Sequence, residues 1–219
     1  GLNSSLAPSN TVMEYDPAAE TWRYKTDMPI ACEGHASAYA VAYIFVFPEN
    51  SRTVPVYQPS ADTWYYGTNM PEDNSQRTAS ATGDTMIYLI GGYGESWGEW
   101  KYSGACLQYD LTQPYGSDKA WTWRAWMPTA RGSLASAVVG GQVYAIGGHN
   151  YSDLYCLQDL RTVEAYDPAA DVWTTKCSMR EARRDLTAAV VDGKIYAIGG
   201  ASGSTLLATM EEYDPASDN

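Results

Sequence analysis

Val163-Glu164-Ala165-Tyr166-Asp167-Pro168-Ala169-Ala170-Asp171-Val172-Trp173 is the stretch on which the fold turns. It recurs near the start of the chain as Val12-Met13-Glu14-Tyr15-Asp16-Pro17-Ala18-Ala19-Glu20-Thr21-Trp22. Looser copies are Val56-Tyr57-Gln58-Pro59 running on to Trp64, Tyr109-Asp110 followed by a longer insertion and Trp121/Trp123, and Glu212-Tyr213-Asp214-Pro215. The repeated tyrosines at 15, 57, 109, 166 and 213 are 42 to 57 residues apart. Self-similarity at such a period marks a chain built of stacked supersecondary units.

Two further elements fall between these copies in constant order. One is Ile87-Tyr88-Leu89-Ile90-Gly91-Gly92, Val143-Tyr144-Ala145-Ile146-Gly147-Gly148 and Ile195-Tyr196-Ala197-Ile198-Gly199-Gly200; the other is Met-Pro at 28–29, 70–71 and 127–128, with Met179-Arg180 as the exception. Each unit holds four apolar runs of four to six residues, such as Leu186 to Val191, Ile195 to Ile198, Met210 to Tyr213 and Val172 to Thr175. Runs that short, bounded by Gly, Asp and Pro, are strands, since a helix needs about ten residues. Asp192-Gly193 and Gly140-Gly141 are two-residue hairpin turns requiring positive φ. The Asp-Pro-Ala segment is the next turn, with Pro setting φ and Asp bonding local amides. One unit is thus a four-stranded antiparallel meander. Such a sheet cannot cover both its faces alone, and radial packing of sheets solves this.

The ordered set resembles the Kelch repeat, whose period is about 50 residues, and the resemblance covers essentially the whole chain. It implies an all-β fold, a Kelch-type β-propeller of radial four-stranded antiparallel blades. The paired glycines then allow close backbone approach where strands crowd, and Tyr and Trp of the outer strands wedge between blades. One unit departs: Ile44-Phe45-Val46-Phe47-Pro48-Glu49 lacks the glycine pair, which predicts an altered strand end. Residues 1–219 are expected to form a single propeller domain, with a partial blade at 1–29, blades at about 30–71, 72–128 and 129–180, and a partial blade at 181–219. The Tyr-Asp-Pro strand occurs at both ends, so the expected object is an incomplete portion of a six-bladed ring, with a five-unit ring of irregular closure as the alternative. The missing segment would be supplied by another part of the same chain.

Composition narrows the function. The formal net charge is −12, from 26 acidic and 14 basic residues. An acidic surface repels phosphate backbones, and the cluster Arg180, Arg183 and Arg184 is interrupted by Glu181 and Asp185, so no nucleic-acid partner is expected. No apolar run reaches the roughly 18 residues of a membrane helix, so no membrane insertion is expected. Cys32, Cys106, Cys156 and Cys177 form no C-x-x-C pair and only two histidines are present, which argues against a zinc site; two disulfides or buried free thiols both fit. No cofactor is expected. The compartment stays open between extracellular and cytoplasmic, the sequons Asn3-Ser4-Ser5 and Asn150-Tyr151-Ser152 leaning towards the former.

Strand directions alternate in a meander, so loops joining second to third strands share a face with those joining successive blades, and binding concentrates in such loops. The segment from Tyr93 to Tyr102 carries four rings, Tyr93, Trp97, Trp100 and Tyr102, among glycines and acids. Exposed Tyr and Trp anchor interfaces. The next equivalent loop offers His149, Asn150 and Tyr151. The Kelch resemblance adds Arg131 and Arg183, each four residues after the repeat methionine, as arginines implied to face the central opening and grip acidic groups. Asn74 and Cys32 stand there in the other units. The resemblance implies a protein-interaction module for a peptide or partner protein, as in Kelch adaptors; a carbohydrate-binding or adhesive surface domain is the alternative. Sugar-active enzymes also use this fold, but no paired carboxylates or Tyr-His constellation are assignable, and catalysis is not the expected role.

Overall fold

A computed structural model describes residues 1–49, 51–73, 75–96, 99–151 and 156–219, all in strands, turns and loops. The first sheet is the hairpin β1 (Val12–Asp16) and β2 (Thr21–Lys25). The second is the meander β3 (Ala36–Ala40), β4 (Tyr43–Phe47), β5 (Val54–Gln58) and β6 (Thr63–Gly67). In the third, β7 (Thr78–Thr82) and β8 (Met86–Ile90) are followed by an inserted hairpin, β9 (Tyr93–Ser96) and β10 (Glu99–Tyr102), before β11 (Cys106–Asp110) and β12 (Trp121–Trp123) complete the sheet. The fourth repeats this plan with β13 (Ala135–Val139), β14 (Gln142–Ile146), the inserted β15 (His149–Tyr151) and β16 (Leu157–Asp159), then β17 (Val163–Asp167) and β18 (Val172–Lys176). The fifth has β19 (Thr187–Val191), β20 (Lys194–Ile198), a short hairpin β21 (Ala201–Ser202) and β22 (Thr205–Leu206), and β23 (Met210–Tyr213).

The first strands β3, β7, β13 and β19 lie side by side around an axis, which makes the five sheets blades of a propeller. Period-two alternation then feeds two seams from every strand. In β8, Ile87 and Leu89 pack towards blade 2 while Tyr88 and Ile90 pack towards blade 4. In β14, Val143 and Ala145 face blade 3, and Tyr144 and Ile146 face blade 5. The core is therefore a series of seams, with alanines such as Ala36, Ala38, Ala135 and Ala137 where the inner strands crowd.

The Tyr-Asp-Pro motif builds the lock between blades. Asp167 Oδ1 accepts the Ala169 and Ala170 amides at 2.9 and 3.3 Å, which forms the turn. Tyr166 then donates its hydroxyl to Asp171 Oδ1 at 2.7 Å; that oxygen also accepts the Ala125 amide of blade 3 at 2.9 Å, and Trp173 Nε1 donates to Ala125 O at 2.7 Å. Tyr57, Asp62 and Trp64 hold Thr26 of blade 1 in the same way, at 2.6, 2.9 and 2.9 Å. Asp62 and Asp171 both adopt positive φ, a conformation that Asp tolerates through local hydrogen bonds.

The glycine pair has an equally local cause. A Cβ on Gly91 or Gly147 would lie 2.5 Å from the carbonyl oxygen of Arg131 or Arg183 in the next blade, and both glycines have positive φ. Blade 2 lacks the pair, and its end is altered as the sequence predicts: Glu49 turns its carboxylate to the Gln76 amide at 2.9 Å. Two expectations are corrected. The segments after Gly92 and Gly148, read as loops, are paired hairpins. The alternative of two disulfides also falls, since Cys32, Cys106 and Cys177 are free thiols, the first two buried and Cys177 exposed.

Candidate binding site on the loop face

The inserted hairpins stand on a framework of backbone bridges. Tyr93 and Ser75 exchange amide–carbonyl hydrogen bonds at 2.8 and 2.9 Å, His149 and Gly132 at 2.9 and 3.0 Å, and Ala201 and Arg184 at 2.9 Å each way. Each hairpin is thereby pinned to the segment entering its own blade. Those segments are joined to one another around the channel mouth: Asp185 N–H donates to Ser133 O, Ser133 N–H to Gln76 O, and Gln76 N–H to the Glu49 carboxylate, at 2.9 to 3.0 Å. Gln76, Ser133 and Asp185 all take positive φ to do this.

On this framework the two larger hairpins lean together and merge their rings. Tyr93 stacks on Trp100 at 5.6 Å between centroids and tilts against Tyr102 at 4.9 Å. Tyr151 of the neighbouring blade meets Tyr93 at 6.3 Å and Tyr102 at 5.2 Å, both edge-on, and His149 meets Tyr102 edge-on at 5.2 Å. These offset and T-shaped contacts are those that ring quadrupoles favour. His149 is buried and its Nε2 contacts Gln76 Oε1 at 3.2 Å, whereas Trp100 and Tyr151 are 58% and 43% exposed. Burial, then the neighbouring phenols of Tyr151 and Tyr93, push the Tyr102 hydroxyl up to about 12. Burial lowers His149 below the usual imidazole range, so its ring is neutral at pH 7. A third hairpin is tied to the second by Arg184, which grips both oxygens of Asp159 at 2.8 Å and donates to Gly203 O at 2.9 Å.

Five residues singled out in the sequence, Tyr93, Trp100, Tyr102, His149 and Tyr151, therefore form one patch. Asn150 lies beside it and spends its amide on Ala130 O at 3.1 Å. Trp97 lies outside the described residues. Arg131 and Arg183 do not join the patch, and they do not present themselves to the opening. Both are 0% exposed. Arg131 pairs with Glu164 of β17 and donates to Ala145 O and Thr129 O, each at 3.0 Å. Arg183 pairs with Glu211 of β23 at 2.9 Å and donates to Gly199 O at 3.0 Å. A buried guanidinium must find a carboxylate, and each blade supplies its own. The sequence carried a signal for this: Arg and Glu occur together in these two repeats, and where Asn74 or Cys32 replaces the arginine, Leu107 or Pro55 replaces the glutamate. Gln76, Arg184 and Asp159, which support the patch, belong to no repeated motif and left no such signal.

Residues 130–180 and 182–219 each match the Kelch motif model. Both segments are Kelch motifs, and the chain is similar to Kelch-repeat proteins. The chain is 32% identical over 133 residues to mouse Kelch-like protein 23, an alignment covering 59% of this chain and 21% of that protein. It is 30% identical over 120 residues to Kelch-like ECH-associated protein 1B of Danio rerio, covering 55% of this chain and 19% of the relative. The alignments thus span about a fifth of the length of these curated relatives. A solved structure, titled Structure of YjhT, superposes with a TM-score of 0.82 at 14% identity, covering 98% of this chain and 76% of its own; at that identity the match speaks for the propeller fold alone.

Proposed function

We propose that this Kelch propeller is a docking domain whose loop-face ring patch seats a peptide or a partner protein. The observation that carries the reading is the convergence of two aromatic hairpins from adjacent blades, with His149 buried, Tyr93 and Tyr102 half-buried, and Trp100 and Tyr151 open to water. Rings held rigidly on an exposed surface lose little entropy when covered, and such anchors contribute about 2 kcal/mol or more each at an interface centre. The relatives support the reading as well, one being named for its association with another protein. Arg131 and Arg183, consumed inside their blades, are no part of the proposed surface.

The test is quantitative affinity purification of the full-length protein, comparing wild type with Trp100→Ala/Tyr151→Ala. We expect at least a roughly tenfold depletion of the bound partners with the fold intact. An unchanged partner set sinks the reading, and an oligosaccharide on a glycan array whose binding depends on Trp100 replaces the peptide by a sugar.

A further inference from the structure

A second surface lies on the outer wall of the ring, where blades 2 and 3 meet and a cavity of about 360 Å³ opens. Three departures from the repeat create it. The outer strand of each blade aims one residue into the following seam, and by register this residue is Lys25, Arg124 or Lys176 in blades 1, 3 and 4 but Gly67 in blade 2. Two residues earlier in the strand, Tyr65 stands where Thr122 and Thr174 stand in blades 3 and 4. Finally, blade 3 has no counterpart of Asp62 and Asp171, because the insertion from Leu111 to Ala120 follows Asp110 directly. The Tyr109 hydroxyl accepts the Thr68 amide in its place, at 2.9 Å. A Cβ on Gly67 would come 2.8 Å from that hydroxyl oxygen, so the glycine makes room for it. The insertion is tied down on blade 2, with Gly116 N–H donating to Thr68 Oγ1 at 2.9 Å, and this fixes the outer wall of the groove.

The other seams carry a cation and a carboxylate that feel each other, Lys25 with Asp62, Arg124 with Asp171 and Lys176 with Asp218, and among the described residues this one has no such pair. Its walls are the rings of Tyr43, Tyr65, Tyr66, Tyr109 and Tyr115, with Gln58 and Gln113 among them, and no charged side chain of the described residues lines it. Tyr65, Tyr66 and Tyr115 are exposed, and the hydroxyls of Tyr43, Tyr66 and Tyr115 make no hydrogen bond within the described residues. Gln113 gives its amide N–H to Asp110 at 3.1 Å, which leaves its carbonyl oxygen available. We propose that this groove binds an uncharged, proline-rich segment in the polyproline II conformation. Such a segment has no internal hydrogen bonds, so its carbonyls accept from outside, and its pyrrolidine faces suit aromatic walls. A charged side chain entering the groove would shed water with nothing to pair it. A sugar, with hydroxyls on every side, would leave most of them against ring faces.

The experiment titrates the full chain with end-capped ten-residue proline-rich peptides, uncharged or carrying Lys or Glu at guest positions, and with maltohexaose. We expect the uncharged peptides to bind, and the Lys and Glu guests to bind about tenfold more weakly. Tyr65→Thr/Tyr115→Ala, which introduces the threonine of the neighbouring seams at one exposed position, should weaken the uncharged peptides by about tenfold or more, and Trp100→Ala on the loop face should leave them unchanged. Absence of peptide binding at about 1 mM overturns the proposal. So does equal binding by the Tyr65/Tyr115 variant, or maltohexaose binding lost in that variant.

Discussion

The seam between blades 2 and 3 and the seam between blades 3 and 4 are built from the same repeat and are held differently. In the latter, Tyr166, Asp171 and Trp173 lock onto Ala125, Arg124 donates to Gln108 Oε1 at 2.6 Å, and Arg131 and Glu164 are paired inside. In the former, Leu107 stands in the place of Glu164, Gly67 in the place of Arg124, and Tyr109 and Trp121 stack at 4.3 Å and bond Thr68 directly. Both seams close around a buried apolar centre, Phe45, Ile87 and Leu107 in one and Ile90, Leu134 and Val143 in the other. The difference teaches that apolar burial holds blades together, whereas the polar lock is one of several ways to satisfy groups at the rim. Where the polar lock is absent, space is left over, and the groove occupies it.

The largest test removes the ion pair. Glu164→Leu alone strands a buried guanidinium and should cost about 3–5 kcal/mol in urea denaturation, whereas Arg131→Met/Glu164→Leu, closer to the neighbouring seam, should recover most of the loss. A double variant as unstable as the single one would mean that the charged seam depends on its charges. A smaller effect is expected from Tyr166→Phe, about 1 kcal/mol for the lost hydroxyl bond. The Tyr166 hydroxyl, ahead of the Ala125 amide, holds the Asp171 carboxyl below the usual carboxylate range. A depressed folded-state value stabilises above the unfolded one, near 3.9, and that contribution is lost as pH falls through the folded value. Urea midpoints followed down from neutral pH should thus decline less steeply in Tyr166→Phe than in wild type, while Tyr109→Phe leaves the acid slope unchanged, since no carboxylate among the described residues bonds that hydroxyl. Smallest is the turn at the foot of blade 2, where Val41 and Ala42 hold positive φ in the place of the glycines Gly140 and Gly141 of blade 4. Val41→Asn/Ala42→Gly relieves a β-branched residue there and should raise stability by about 0.5–1 kcal/mol, read as a higher melting temperature.

Much of this was legible in the residues. The order of Gly pair, Tyr-Asp-Pro, Trp and Met-Pro prescribes strands and turns because each element serves its own hairpin: Asp167 bonds amides two and three residues on, and Asp192-Gly193 turns a two-residue loop. The rings of the loop face were visible as well, since four aromatics in ten residues exceed what a turn requires. Their convergence was hidden, because Tyr102 and Tyr151 are 49 residues apart in the chain and meet only through the lean of two hairpins pinned to different blades. Arg131 and Arg183 misled because a position relative to the methionine says where a residue enters a blade, whereas the direction of its side chain depends on Glu164 and Glu211, 33 and 28 residues further on.

Composition and repeat order alone determined an all-β meander repeated around an axis, because local turn chemistry and period-two patterning need no distant partner. The tertiary structure decided which residues share a seam, which arginines are spent inside a blade, and where a missing cation leaves a groove. Those outcomes depend on packing between segments about fifty residues apart, and there a side chain's role is set by the partner it meets.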